Sequence, residues 1–314
     1  MASRIRYARL ATERANPRSR ALDLLRPREI AALMNREDRR AVLAVGRVRA
    51  EIAAAVALIV AALRRGGRLF FAGAGTSGRL GVLEAAECPP TFGTPRQLVQ
   101  AIMAGGRGAV FRSREGSEDD EAAARRAVRA RVRRGDVVVG ISASGVTPFA
   151  RAALEAARRR GAGTVLISCN PSWPGRVLAD VRILPMTGPE VLAGSTRLKA
   201  GTATKLVLNT LTTAAMTGLG RVYGNRMVDL QPRSAKLRER ALRLIAELAG
   251  VSRARALRAF EASGRRVRLA IVMAGSGWEA AEASRALRAA GGSLRVVLRS
   301  SGGSSGRAPG PART

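Results

Sequence analysis

Histidine is absent from this 314-residue chain. Its absence excludes a Ser-His-Asp triad and every metal site built on imidazole, so acid–base chemistry would fall to carboxylates, lysine, tyrosine or cysteine. Cysteine is scarce as well, because Cys88 and Cys169 are the only two, and they lack the spacing of metal ligands. Both follow apolar segments, which predicts buried free thiols in a reducing compartment, the cytoplasm.

Long apolar runs are also missing. The longest, residues 52–63, is shorter than the roughly 20 residues that a membrane span needs. The arginine-rich N-terminus carries Glu13 and Asp23 and lacks the apolar stretch of a secretory signal. We therefore expect a cytoplasmic protein with no membrane partner.

Aromatic residues make up 3% of the chain, too few for the stacking surfaces that bind single-stranded nucleic acid. The formal charge of +32 would ordinarily suggest a polyanion partner. However, all of the 55 basic residues except Lys199, Lys205 and Lys236 are arginines spread along an alanine-rich chain, which is typical of codon bias. We expect no specific nucleic-acid partner, although non-specific binding at low salt is compatible with this charge.

The chain does contain short apolar runs that alternate with helical segments. This alternation predicts an α/β fold with a doubly wound parallel sheet. The predicted strands are 69–72, 98–104, 136–141, 164–169 and 181–186. The predicted helices are 27–34 (ended by the polar residues 35–38), 41–65, 79–87, three helices that end at Arg134, Arg160 and Thr217, and then 234–248, 253–262 and 278–289.

The domain organisation predicted from these segments has four parts. They are an N-terminal arm and helix (1–45, with a polar surface stretch at 12–17), an α/β domain with the parallel sheet (46–222), a small C-terminal helical module (223–299) and a disordered tail (300–314).

A glycine-rich turn at 73–78 follows the first predicted strand. We predict that helix-forming residues resume at Arg79, which would place the N–H groups of Thr76, Ser77 and Gly78 at a helix N-terminus, where an anion is favoured. Tight packing alone is an equally good explanation of such a turn.

A second turn, at 142–148, carries three hydroxyls and a glycine: Ser142, Ser144, Gly145 and Thr147. Hydroxyl donors together with free N–H groups suit a phosphate dianion, and a simple capping turn would not need three hydroxyls. Ligands bind at the carboxyl ends of the strands in a doubly wound sheet, so both turns are candidates for one phosphate site.

Two carboxylates and two lysines complete the set of candidates. Glu87 precedes Cys88-Pro-Pro, where the prolines are predicted to end a helix. Glu118 begins a predicted helix, so helix capping, with Ser117 as N-cap, is the simpler alternative for it. Lys199 and Lys205 are two of only three lysines in a chain whose other basic residues are arginines. A specific role for these lysines and chance are equally good explanations of their presence.

Five sequence blocks together resemble one family. They are GAGTSGRLGVLEAAECPPTFG, EGSEDD, GISASGVTPF, GPEVLAGSTRLKAGTATK and YGNRMVDL, in order within residues 12–299. They resemble the N-acetylmuramic acid 6-phosphate etherases, lyases of peptidoglycan recycling with a sugar isomerase (SIS) domain. The resemblance implies cleavage of a lactyl ether to give N-acetylglucosamine 6-phosphate and D-lactate. It also implies no metal or organic cofactor, and a homodimer whose site is completed by the neighbouring subunit.

The same resemblance implies roles for individual residues. Glu118 and Glu87 match the acid–base pair of the family, and we assign Glu118 as base and Glu87 as acid, although the reverse is open. Lys205 would contact sugar or phosphate. The substrate's phosphate would be held by Thr76, Ser77, Gly78, Ser142, Ser144, Gly145 and Thr147. Departures from the family pattern occur at Val146, Thr204 and Ser234.

Two other functions remain open from the sequence. A non-catalytic sugar-phosphate sensor, similar to the glucokinase regulatory protein, would share the SIS core, but that protein has two SIS units and this chain has length for one. A transcription regulator with an SIS domain would carry an N-terminal helix-turn-helix of about 70 residues, and residues 1–45 do not provide one.

Overall fold

The computed structural model describes residues 10–171, 179–232 and 234–300. The chain divides into two compact units. The first contains the described residues up to Ala86 and the segment Pro95–Ala215, and the second contains Glu87–Thr94 and the described residues from Met216 onward. The domain boundaries inferred from the sequence remain predictions. Most of the predicted disordered tail lies outside the described residues, and Ser300 ends a helix.

Within the described residues, the first unit contains a five-stranded parallel sheet in the order β2-β1-β3-β4-β5. Every residue of β1 and β3 is buried, because helices cover both faces of a sheet of this kind. This confirms the predicted doubly wound α/β fold. The strands are β1 (Leu69–Gly73), β2 (Val99–Met103), β3 (Val137–Ile141), β4 (Gly163–Ile167) and β5 (Val181–Ile183).

The ends of β1 and β3 are level in the sheet. Gly73, the last residue of β1, pairs with Ile141, the last residue of β3. From these two strands the chain continues to opposite sides of the sheet, to β2 and to β4. The topological switch point of this strand order is therefore the crevice between β1 and β3. Ligands of doubly wound folds bind at that point.

Seven helices of the described chain begin in the first unit. A core of Phe70, Val138, Phe149 and Leu166 joins the sheet to the helices on one of its faces. The helices are α1 (Pro27–Arg47), α2 (Arg49–Arg64), α3 (Gly75–Phe92), α4 (Gly108–Phe111), α5 (Glu121–Arg131), α6 (Pro148–Arg159) and α7 (Lys199–Gly218). No helix in the described ranges is long and apolar enough to cross a membrane.

The polar residues 35–38 do not end the first helix as predicted. Helix α1 continues through them to Arg47, and a break at Val48 separates it from α2. The reason is that Glu37 faces inward, where its carboxylate accepts a hydrogen bond from Lys199 Nζ at 2.5 Å. A charged residue in a polar cluster is normally expected to face solvent, but Glu37 is buried and paired with Lys199.

The N-terminal segment is not a surface arm as predicted. Thr12 and Asn16 are buried. Asn170 Nδ2 donates to Thr12 Oγ1 at 3.1 Å, and Ala11 N donates to Asn170 Oδ1 at 2.7 Å. Ser19 Oγ donates to the carbonyl of Val191 at 2.7 Å. These residues are built into the first unit by bonds to distant parts of the chain.

Helix α3 is longer than predicted at both ends. It begins at Gly75 rather than near Arg79 and continues through Pro89 and Pro90 to Phe92. The prolines are tolerated because their fixed φ is helical, and the two intrahelical bonds they forgo lie near the helix end. Gly93 stops the helix with a φ of +61°, and its N–H donates to the carbonyl of Pro89 at 3.0 Å.

The second unit is helical, as predicted. The three predicted helices are confirmed as α8, α9 and α11, whereas α10, α12 and a two-stranded hairpin were not predicted. The core contains Ile245, Phe260, Ile271 and Val272. The elements are β6 (Val222–Tyr223), β7 (Arg226–Met227), α8 (Ala235–Ala249), α9 (Arg253–Ala262), α10 (Val267–Ser276), α11 (Ala280–Ala289) and α12 (Leu294–Ser300).

Candidate active site

The first predicted phosphate turn lies in the first turn of α3, not in a loop that precedes the helix. The N–H of Gly78 donates to the carbonyl of Ala74 at 3.1 Å, so that donor is already engaged. The N–H groups of Thr76 and Ser77 belong to the helix N-terminus, where helical geometry supplies no acceptor and the helix dipole favours an anion.

Gly78 also has a packing role that does not depend on a ligand. A Cβ at this position would lie 2.4 Å from the Gly73 carbonyl oxygen and 2.3 Å from Met103 Sδ. Helix α3 can therefore approach the ends of β1 and β2 only because residue 78 has no side chain.

Replacing Gly78 with alanine is expected to destabilise the protein by about 1–3 kcal/mol, because the clash includes a backbone oxygen that cannot move aside. The matched control is Gly46→Ala, since Gly46 lies in α1, where an added Cβ would meet nothing within 4 Å outside its own helix backbone. That control is expected to gain about 0.5–1 kcal/mol from helix propensity. Urea unfolding measures both, and equal stability of Gly78→Ala and wild type would contradict the packing role.

The second turn is organised from inside by Ser142. This side chain is buried, and its Oγ lies 2.8 Å from Thr147 Oγ1. It also accepts the N–H groups of Gly145 at 3.0 Å and of Thr147 at 3.4 Å. Gly145 has a φ of +77°, which favours glycine. Ser144 and Thr147 are half-buried, so these two hydroxyls are the more accessible ones.

Helix α6 begins directly after this turn at Pro148. Its N-cap residue, Thr147, makes no capping hydrogen bond with its side chain. The N–H groups of the first turn of α6 are therefore left for another acceptor. Because Gly73 and Ile141 are paired in the sheet, the structure brings the two predicted turns to the same edge, next to each other.

Glu118 does not cap a helix. It lies in a short 3₁₀ turn (Ser117–Asp119), and α5 begins later, at Glu121. Asp120 is the N-cap, because its side chain accepts the N–H of Ala123 at 2.8 Å. Ser117, the predicted N-cap, instead donates its hydroxyl to the carbonyl of Arg114, three residues earlier, at 2.7 Å. The simpler alternative for Glu118 is therefore wrong.

The electrostatic surroundings of Glu118 favour its neutral form. Its side chain is exposed overall, but enough protein surrounds the carboxylate that partial desolvation raises its pKa. The charges of Asp119 and Glu115 raise this pKa further. Glu118 thus holds a proton more tightly than an ordinary glutamate does.

Glu87 lies in the second unit, near the end of α3, and its side chain is exposed. Among the described residues, no ion pair includes Glu87 or Glu118. Other acidic residues of the described chain, Glu115 and Asp119 among them, are also absent from its ion pairs. The lack of a basic partner leaves Glu87 and Glu118 available for other chemistry but does not by itself distinguish them.

Lys205 is held by a carboxylate that the sequence analysis missed. Its Nζ lies 3.6 Å from Glu84 Oε2 and also contacts Asn209 Oδ1. Glu84 is buried in α3 and accepts the hydroxyl of Thr212 at 2.5 Å. The one signal in the sequence was its position a turn before Glu87 on a helix whose neighbouring residues are largely apolar.

Comparisons with known proteins show the family of this chain. Residues 51–158 match the glucokinase regulatory protein N-terminal SIS domain, and residues 115–214 match the SIS domain. The N-acetylmuramic acid 6-phosphate etherase of a Synechocystis species is 51% identical over 290 residues, covering 92% of this chain and 95% of the relative. That of Microcystis aeruginosa is 52% identical over 291 residues, with the same coverage. The chain belongs to the N-acetylmuramic acid 6-phosphate etherase family.

A solved phosphoheptose isomerase from Francisella tularensis is also similar to this etherase-family chain. It is 17% identical, with a TM-score of 0.47, and the similarity covers 63% of this chain and 98% of that one.

The three departures from the pattern of the etherase family have identifiable surroundings. Ser234 is the N-cap of α8, and its Oγ accepts the N–H of Leu237 at 3.3 Å. Serine and asparagine cap helices about equally well, so this departure is neutral for the helix. Thr204 is buried in α7, and Val146 is half-buried in the second turn, where its N–H donates to Ser144 Oγ.

Lys199 is buried in the interior of this etherase-family protein and is not part of the candidate site. Its side chain is 1% exposed, and its ammonium pairs with Glu37, to which Asn16 Nδ2 also donates at 2.8 Å. The backbone N–H groups of Lys199 and Ala200 donate to Glu190 at 2.9 Å, which caps α7. Burial raises the pKa of Glu190, and these N–H groups partly oppose that rise. The specific role of Lys199 is therefore that of a buried ion-pair partner.

Both cysteines are buried thiols, as predicted. Burial raises the pKa of Cys169 to about 12, which keeps it as an inert thiol. In the described ranges, no group of three or more acidic, cysteine or histidine side chains could hold a metal ion.

Proposed function

We propose that this protein is a carbon–oxygen lyase that cleaves the D-lactyl ether of N-acetylmuramic acid 6-phosphate. The products are N-acetylglucosamine 6-phosphate and D-lactate, as expected in amino-sugar recycling. The observation that carries the proposal is the 51% identity to an etherase over 92% of this chain and 95% of the relative. The two unpaired glutamates and the two adjacent turns supply the groups that this chemistry needs.

The reaction proceeds by elimination and then addition. Opening of the sugar ring exposes the C1 aldehyde, which acidifies the proton on C2. A carboxylate removes that proton, the C3–oxygen bond breaks, and the lactyl oxygen leaves with a proton from the acid. Water then adds at C3 of the unsaturated aldehyde and restores a hydroxyl there. One carboxylate must begin ionised and the other protonated.

We assign Glu118 as the base and Glu87 as the acid. The raised pKa of Glu118, from partial desolvation and then from the charges of Asp119 and Glu115, makes it a stronger base than an ordinary glutamate. If the roles are reversed, Glu87 rather than Glu118 removes the C2 hydrogen. Exchange of that hydrogen with solvent distinguishes the two assignments.

The 6-phosphate lies at the β1/β3 switch point. Its oxygens accept the N–H groups of Thr76 and Ser77 and the hydroxyls of Ser144 and Thr147. Ser142 shapes the turn from inside and, with the close-packed Gly78 and Gly145, lets the phosphate approach the backbone. Lys205, oriented by Glu84, contacts the sugar or the phosphate. No metal or organic cofactor takes part in this scheme.

The protein acts as a cytoplasmic homodimer in this proposal, with the neighbouring subunit completing each site. The support is the reduced state of both buried cysteines and the dimer implied by the family resemblance. Analytical ultracentrifugation of the purified chain tests the dimer, and a monomer at assay concentration would reject it.

The test of the activity is D-lactate release from N-acetylmuramic acid 6-phosphate by the purified chain. We expect stoichiometric release of D-lactate and N-acetylglucosamine 6-phosphate. A non-catalytic sensor is the competing function, because residues 51–158 match the regulatory-protein SIS domain. A folded protein that binds the sugar phosphate in calorimetry but releases no D-lactate would reject the lyase and support the sensor.

A further inference from the structure

A cleft in the second unit has a lining dominated by arginine. Its volume is about 840 Å³, within the roughly 300–1,000 Å³ range of small-molecule sites. We call it the arginine cleft. Its charged lining residues are Arg221, Asp229, Arg265, Arg266, Arg268 and Arg288. Arg265 pairs with Glu261, which lies outside the lining, at 3.0 Å. The other four guanidinium groups face a single carboxylate, Asp229.

That carboxylate is already shared by the two arginines that are partly buried. Asp229 pairs with Arg221 at 3.3 Å and with Arg268 at 3.0 Å, and these arginine side chains are 23% and 22% exposed. Arg221 also donates to the Phe92 carbonyl at 2.9 Å, and Arg268 donates to the Gly292 carbonyl at 2.7 Å. These bonds fix the two guanidinium groups in position before any ligand arrives.

Unlike Arg265, two exposed arginines at the rim have no such neutralisation. Arg266 donates its Nε to the Ser263 carbonyl at 2.8 Å, and Arg288 donates to Ser284 Oγ at 2.7 Å. Among the described residues, neither of these arginines pairs with a carboxylate. Both keep further N–H donors, since a guanidinium carries five of them.

The backbone at this cleft adds to its positive character. Helix α10 begins at Val267, in the lining, and no side chain caps it. Arg265, just before this helix, has a φ of +62°, in the region that favours glycine. The main evidence for a ligand is the arginine-lined cavity. The uncapped N-terminus of α10 adds a further preference for an anion.

We propose that the arginine cleft binds a small phosphate-bearing anion at a site separate from the residues of the reaction. Guanidinium groups suit phosphate because their planar forks match its oxygens. The concave shape and limited volume suit a small molecule rather than a nucleic-acid duplex. Codon bias explains arginines scattered on a surface, but it does not explain five that converge on one cavity.

A second groove in the same unit offers a matched control. Its lining includes Arg226, Arg240, Arg243 and Glu247, with a smaller volume of about 320 Å³. Glu247 pairs with Arg226 at 2.6 Å, so this groove is partly neutralised. Replacing two arginines there removes as much charge as replacing two at the arginine cleft.

The experiment is calorimetric titration of the full chain with inorganic pyrophosphate at about 150 mM salt, where long-range charge effects are screened. All proteins carry Ser144→Ala and Thr147→Ala, so that the proposed substrate-phosphate turn does not contribute. We compare this background with the same protein carrying Arg266→Gln/Arg288→Gln and with the control carrying Arg226→Gln/Arg240→Gln.

We expect pyrophosphate binding that weakens at least about tenfold in Arg266→Gln/Arg288→Gln and changes less than about twofold in the control, because charge-assisted hydrogen bonds are lost only in the former. Circular dichroism verifies that each variant is folded. If pyrophosphate affinity fell equally in the two variants, the loss would come from net charge alone, and the proposal would be overturned. Unchanged binding in both, or no binding by the background protein, would also overturn it. None of these outcomes depends on the lyase activity.

Discussion

Glu118→Gln is expected to lower kcat for D-lactate release about 10³-fold while leaving sugar-phosphate binding nearly unchanged, because it removes a general base and keeps the side chain's size. The base acts on the C2 proton and does not hold the phosphate. Steady-state kinetics and calorimetry measure the two quantities. A variant that retains wild-type kcat would remove Glu118 from the mechanism.

The matched control is Glu115→Gln, which removes the same charge from the same exposed segment. We expect its kcat at neutral pH to stay within about twofold, because a glutamate that only modulates its neighbour does not transfer the proton. The charge of Glu115 raises the pKa of Glu118, so removing it lowers that pKa. Activity falls as pH drops through the pKa of the base, and this acid limb should therefore move to lower pH in Glu115→Gln.

Deuterium exchange separates the base from the acid. In D₂O, Glu87→Gln should still exchange the C2 hydrogen of the substrate, because the base is intact and only departure of the lactyl oxygen is impaired. Glu118→Gln should exchange little. The opposite pattern would show that the two roles are reversed, and exchange by neither variant would reject the assignment of one role to each.

Lys199→Met is expected to destabilise the protein by about 3 kcal/mol, the lower end of the usual cost of removing one partner of a buried ion pair, because Arg40 still lies 3.4 Å from the Glu37 carboxylate. Glu37 would keep a charge in an interior where its side chain is 2% exposed. Urea unfolding measures the loss. The control is Lys236→Met, at an exposed lysine of α8, which should stay within about 0.5 kcal/mol of wild type.

The double variant Glu37→Gln/Lys199→Met shows whether charge is the cause. Neutral glutamine leaves no uncompensated charge, so we expect it to recover at least half of the lost stability. No recovery would mean that packing around the lysine stem accounts for the loss, and a single variant as stable as Lys236→Met would refute the importance of the pair.

The same pair contributes to pH dependence. Burial acts to raise the pKa of Glu37, but hydrogen bonds from Lys199 and Asn16 and the charges of Lys199 and Arg40 outweigh it and lower that pKa. A lowered folded pKa gives stability that is present above the unfolded value, about 4.3, and is lost as pH falls through the folded value. The stability gap between wild type and Lys199→Met should therefore narrow in strong acid.

Features with a local physical cause could be predicted from the sequence. Strands β1 and β3 are continuous apolar runs because both faces of the sheet are covered. The two turns stand out because glycine and hydroxyl residues replace bulky side chains there. The fold and the location of the candidate phosphate site follow from these local signals.

Features that depend on distant partners could not be predicted. Helix α1 continues past its polar cluster because Glu37 meets Lys199, which is 162 residues away in the chain. The role of Glu84 depends on its contacts with Lys205 and Thr212, which are more than 100 residues away in the chain, so its position in a helix gave no sign of that role. Helix α10 escaped detection because it is buried on most sides and has little amphipathic period.

The buried N-terminal segment has a consequence for the order of folding. Ala11 and Thr12 bind Asn170, about 158 residues further on, and Asn16 donates to the Pro189 carbonyl, 173 residues further on. Contacts of such long sequence separation close large loops and form late. Residues 11–16 are synthesised before these partners, so their bonds to Asn170 can form only after the residues of β1 to β4 have been made, and the bond to Pro189 only after those of β5 as well.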